Sequence, residues 1–132
     1  KGKAQDIYLE LWNTFPPMWV KDAKIDLEIG KAKTIKDIAE IISYCQKQKY
    51  CAYSVKSTGK DTLTLTADAD PFAEVGAMLQ APAGYNQALA KMDQDFVNNV
   101  LKAAKAEKIA TATFTSHIAK GAKSSEITIK MK

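Results

Sequence analysis

The chain has 132 residues, 46% of them hydrophobic and 26% charged, enough for one domain with its own core and too apolar for a disordered tail. No apolar run is long enough to span a bilayer, and no signal-peptide order of charged, apolar and small residues stands at the start, although Lys1 in place of Met reads as a processed or excised segment. The net charge is +4 and every basic residue is Lys, so the bidentate Arg contacts that read phosphate and guanine have no source here, and a polyanion would be held by diffuse charge alone.

In chain order, "AQDIYLELWNTF" predicts a short amphipathic helix with Tyr8, Leu11, Trp12 and Phe15 on one face. Pro16 and Pro17 are expected to stop it. "KIDLEIG" alternates Ile25, Leu27 and Ile29 against Asp26 and Glu28, the pattern of a half-buried strand ended by Gly30. A helix then opens on Thr34 as N-cap, with Asp37 in its first turn and Ile35, Ile38, Ala39, Ile42 and Cys45 as its apolar stripe. "CAYSVKS" and "TLTLTAD" read as a hairpin. Cys51, Tyr53 and Val55 share one face of the first strand, and Leu63, Leu65 and Ala67 turn inward on the second.

Asp70 and Pro71 are N-cap and first residue of a helix "PFAEVGAMLQ", which ends before "APAGY". A longer helix from about Asn86 to Glu107 carries the stripe Leu89, Met92, Phe96, Val97, Val100, Leu101 and Ala104. "IATATFTSHI" and "SEITIKMK" close the chain as a second hairpin. The expected fold is one α+β domain over residues 1–132. Its mostly antiparallel sheet of about five strands is packed by the long helix of the C-terminal half and by shorter helices. The inner βαββα order resembles, in element order only, KH-like RNA-binding domains and the small ring-building domains of bacterial secretion channels. The GxxG clamp of the KH domains does not occur in the sequence.

No diagnostic catalytic motif appears, and no metal or cofactor is expected. "YCQKQKYC" holds both cysteines, Cys45 and Cys51. A closed zinc site wants four Cys or His ligands, and the chain offers two Cys and His117. A redox pair would be C-x-x-C at a helix N-terminus, whereas Cys45 falls near a helix end where the dipole disfavours a thiolate. Two readings stay open, a short disulfide and a pair of buried reduced thiols. The disulfide is preferred; it would add about 2–3 kcal/mol and imply an oxidising compartment, periplasmic or otherwise exported. Reduced thiols would go with a cytoplasmic location.

The pairs Asp26/Glu28, Asp68/Asp70 and Asp93/Asp95 read as solvated or capping carboxylates, with Asp93 and Asp95 on the polar flank of the long helix. "STGKDT" lacks the upstream Gly of a phosphate loop and reads as a turn. Trp12, Phe15, Pro16, Pro17, Met18 and Trp19 form the densest aromatic cluster, a candidate docking element for a partner within residues 1–20. Tyr44, Lys47, Lys49 and Tyr50 could stack bases and meet phosphates. The reading that results is a non-enzymatic protein-binding or assembly domain of a bacterial cell-envelope or secretion-type complex, with a protein partner or a second copy. A nucleic-acid-binding module using the Lys/Tyr surface is the alternative, and a small hydrolase using His117 with a carboxylate or thiol is the second.

Overall fold

The computed structural model of the protein describes residues 2–132, with side chains from Glu10 onward; Tyr8 lies outside the described side chains. Its elements are α1 (Gly2–Asp26), α2 (Ile35–Gln48), β1 (Ser54–Thr58), β2 (Thr62–Ala67), α3 (Pro71–Met78), α4 (Tyr85–Ala103), β3 (Ala110–Ser116), a short 3₁₀ turn (Ile118–Lys120) and β4 (Ser125–Met131). The strands form one antiparallel sheet in the order β1-β2-β4-β3. The α+β class and the long-helix-on-sheet architecture hold, with four strands rather than five.

Three layers build the domain. α2 packs over β2 and β4, α4 over β3, and α1 lies across α2 and α4. The core between sheet and helices is made by Leu63, Leu65, Ile127 and Ile129 from the sheet, Ile38, Ile41, Ile42 and Cys45 from α2, and Phe96, Val97, Val100 and Leu101 from α4. Alternation puts Leu63, Leu65 and Ala67 inward on β2, and Ile127 and Ile129 pair with Leu65 and Leu63 on the central strand β4.

The first expected strand is where sequence and structure part. α1 runs straight through Pro16 and Pro17 to Asp26. Proline's φ suits a helix; its cost is the missing N–H and the clash with the carbonyl four residues back. Here Trp12, Pro16, Trp19, Val20 and Ala23 recur at helical spacing across the proline pair and turn toward the core, with Pro16, Val20 and Ala23 buried. That burial outweighs the interruption. "KIDLEIG" is consequently the last turn of α1 and its cap, and the βαββα order becomes ααββααββ.

One cap geometry explains why several helix ends carried no glycine signal. After α1, Glu28 adopts φ 55°, the Ile29 N–H bonds to the Lys24 carbonyl, and the Glu28 N–H bonds to that of Ile25. The same left-handed cap recurs at Tyr50 after α2, Gln80 after α3 and Lys105 after α4. These are Schellman caps built on non-glycine residues. At the opposite ends, Thr34 and Asp37 form a capping box on α2, and Asp70 accepts from the Phe72 and Ala73 N–H groups at the start of α3. α3 lies so close to α4 that Gly76 faces the Tyr85 ring with no room for a Cβ, while the Tyr85 hydroxyl donates to the Phe72 carbonyl at 2.9 Å.

Candidate functional site

The four residues with the most unusual surroundings converge from separate elements. Lys49 is the C-cap of α2, Asp93 sits in the middle of α4, Asp70 caps α3, and His117 follows β3. All four are buried, between 3% and 6% exposed. The Lys49 ammonium donates to Asp93 Oδ1 and lies 3.9 Å from the centre of the Phe96 ring and 5.3 Å from that of Trp12. His117 Nδ1 accepts the Ala119 N–H at 3.0 Å. The ring proton therefore sits on Nε2, which donates to Asp93 Oδ2 at 2.7 Å. Asp70 Oδ2 stands 3.8 Å from the same nitrogen. Burial alone pushes the Asp93 carboxyl upward, but the Lys49 charge and the hydrogen bonds from His117 and Lys49 outweigh it and hold the group below the usual carboxylate range.

Chemistry follows from these contacts. Donor atoms of Asp70, Asp93 and His117 lie within 4.8 Å of one another, close enough to face one cation. A metal-binding imidazole offers one nitrogen lone pair to the ion and donates from the other nitrogen. Here the second nitrogen faces a donor, so the nitrogen near the carboxylates carries the proton. Lys49 also occupies Asp93. The donor set does not fit a cation. Nor is His117 placed for the hydrolase reading, since both its nitrogens are engaged and the residue is 3% exposed. The cluster is a satisfied buried network that ties α2, α4, the α3 cap and the end of β3 together.

Asp93 and Lys49 were both legible in principle. Asp93 stands four residues after Leu89 and four before Val97, on the apolar stripe rather than the polar flank. Lys49 stands four after Cys45 and seven after Ile42, so the stripe of α2 points it inward. That corrects the proposed polyanion surface. Lys49 is buried, and the Tyr44 hydroxyl donates to Asp26 at 2.5 Å, a bond that pushes it up to about 12. Only Lys47 and Tyr50 stand in solvent.

The cysteines are free thiols, which corrects the expected disulfide. Cys45 packs in the core from α2, while Cys51 lies beyond the Tyr50 cap and donates its N–H to the Gln46 carbonyl. Burial pushes both thiols up to about 12; Asp70 and Asp93 add to the rise at Cys51. The aromatic cluster of α1 divides. Trp12, Pro16 and Trp19 pack inward, Trp12 against Phe96 at 5.9 Å and Phe72 at 6.0 Å, and Phe15 stacks on Trp19 at 4.8 Å. Pro17 and Met18 remain exposed.

No family model and no curated protein matches the chain. Among solved structures, the fold is similar to the crystal structure of a trafficking protein particle complex subunit 3 from Naegleria fowleri covalently bound to palmitic acid. The TM-score is 0.64 at 16% identity, over 98% of this chain and 81% of that one. At that identity the likeness is one of fold. The expectation of a periplasmic or otherwise exported place rested on the disulfide, and the free thiols correct it.

Proposed function

We propose that the protein is a non-enzymatic assembly subunit that docks a protein partner along the outer face of α1. The observation that carries this is a stripe on that helix. Leu11, Met18 and Ile25 are 41%, 56% and 65% exposed at seven-residue spacing. Residues spaced by seven drift only about 20° per heptad, so all three lie on one side. The inward residues Trp12, Pro16, Trp19, Val20 and Ala23 anchor the opposite side and make the helix a rigid support. A narrow apolar seam of this kind suits a partner helix.

The similar solved structure is described as a subunit of a trafficking protein particle complex, and that supports an assembly role over a catalytic one. Free thiols suit a reducing compartment, and a cytoplasmic place of action fits the reading. The palmitate of that subunit is not extended to this chain. Cys45 is fully buried, Cys51 lines a crevice of about 10 Å³, and acylation wants an accessible thiolate.

A photo-crosslinking residue placed at Met18 tests the proposal in the native host. A discrete covalent product with a partner protein is expected, and Ile25→Glu should abolish it without changing the circular dichroism of the purified chain. A crosslinker at the exposed Lys102 on α4 serves as control. If the probe at Met18 yields no product, or the product survives Ile25→Glu, docking through α1 is wrong.

A further inference from the structure

The two edges of the sheet are treated differently. At β3, the Gln94 side chain reaches over from α4 and behaves like a residue of a neighbouring strand. Its Nε2 donates to the Ala112 carbonyl at 3.0 Å, and its Oε1 accepts the Phe114 N–H at 2.9 Å. That edge is sealed against further pairing. At β1 no described side chain takes that part, and the one irregularity of the strand is the shift in its pairing with β2 at Lys56, between Val55 and Ser57. Among the described residues, no side chain bonds to the β1 backbone, and all five of its residues are exposed. Its one lysine, Lys56, turns to the outer face of the sheet and pairs with Glu126 at 2.8 Å, so it does not guard the edge.

A groove of about 460 Å³ runs beside this open edge. α2 packs over β2 and β4, leaving the inner side of β1 uncovered, and Val55 is 58% exposed there although it pairs with buried Leu65. The groove floor is Leu63 and Leu65, and Ala39 and Ser43 of α2 form the facing wall. Lys47 lies on its rim and has no ion-pair partner among the described residues, whereas Lys36 pairs with Glu40 at 3.7 Å. The unbalanced charge of the groove is therefore positive.

We propose that β1 accepts an extended segment of a partner protein as a fifth strand. Main-chain hydrogen bonds to the open edge supply affinity. Alternate apolar side chains enter the groove between β1 and α2, and an acidic side chain meets Lys47. Five residues of β1 match a segment about 17 Å long at the usual strand rise. The site is separate from the α1 seam, so either can fail without the other.

An octapeptide library screened against the full chain, with backbone-amide NMR of the selected peptides, tests this. Selected peptides should alternate apolar and polar residues and carry an acidic residue, and they should shift the Val55, Lys56 and Ser57 amides and protect those amides of β1 that point away from β2. Val55→Lys should weaken binding at least tenfold; this residue is exposed, and an unchanged amide spectrum elsewhere will show the fold intact. Lys47→Glu should turn the preference from acidic to basic peptides. The proposal is overturned if no peptide binds below about 1 mM, a weak limit at which only some 4 kcal/mol is gained. It is equally overturned if binders map elsewhere, if Val55→Lys is without effect, or if two copies of the chain pair through β1 instead.

Discussion

Lys49 and Asp93 form an ion pair in which both side chains are 6% exposed, joining the end of α2 to the middle of α4. Removing water from two charges costs several kcal/mol each, so such a pair gives little net stability over an apolar packing of similar shape. Breaking it is another matter, because the remaining charge stays buried. We expect Lys49→Met to destabilise the fold by about 3–5 kcal/mol in urea unfolding. The double variant Lys49→Met/Asp93→Asn should recover most of that loss, since an Asn oxygen can still accept from His117 Nε2. Two losses that simply add would mean the pair is not the source of the effect.

The same carboxylate makes the fold acid-sensitive. Asp93 titrates lower in the folded chain than in the unfolded one. Its contribution is therefore fully present above the unfolded value, about 3.9, and is lost as pH falls through the lower folded value. Asp37, held low by the Lys33 and Thr34 N–H groups of the α2 cap, adds in the same direction. The urea midpoint should fall steeply as pH drops below about 4, and less steeply in Asp93→Asn measured from its own plateau. Identical slopes in the two proteins would remove Asp93 as the cause.

The thiols act at the other end of the scale. Burial holds both near 12, so their protonated form is favoured by folding. That contribution is complete below the unfolded thiol value of about 8.5 and disappears as pH rises toward the folded one. At pH 8 iodoacetamide should modify Cys45 and Cys51 at least roughly 100-fold more slowly in the native chain than in urea. Intact mass without reductant should show two free thiols. Rapid labelling of the native chain, or a mass two units light, would contradict the buried-thiol geometry.

Much of the architecture was readable from local pattern. Strict alternation located β2 and β4, and helical spacing located α2 and α4 and the apolar residues of their inner faces, though not Lys49 and Asp93. The failures share one origin, which is that a local signal was overruled by burial at a distance. Pro16 and Pro17 look like a stop, and only the packing of Trp12, Val20 and Ala23 against α2 and α4 carries α1 through them. Ile25, Leu27 and Ile29 alternate like a strand, yet a Schellman cap on Glu28 consumes the backbone groups a strand would have needed.

For the candidate sites, composition and spacing by themselves ruled out a zinc centre of four Cys or His ligands within the chain, a C-x-x-C pair and a phosphate loop, because those chemistries need residues or spacings the sequence does not contain. They also sent Cys45 to the core and marked α1 as the aromatic segment. Pairing belonged to the tertiary structure. Asp93 meets Lys49 across 44 residues and His117 across 24, Gln94 seals one sheet edge while no described side chain bonds to the β1 backbone, and Leu11, Met18 and Ile25 stand exposed on α1. Ionic and edge contacts between distant segments leave almost no periodic trace, since one residue on each side suffices. Burial of an apolar face must recur every turn or every second residue, and that recurrence is what a sequence can show.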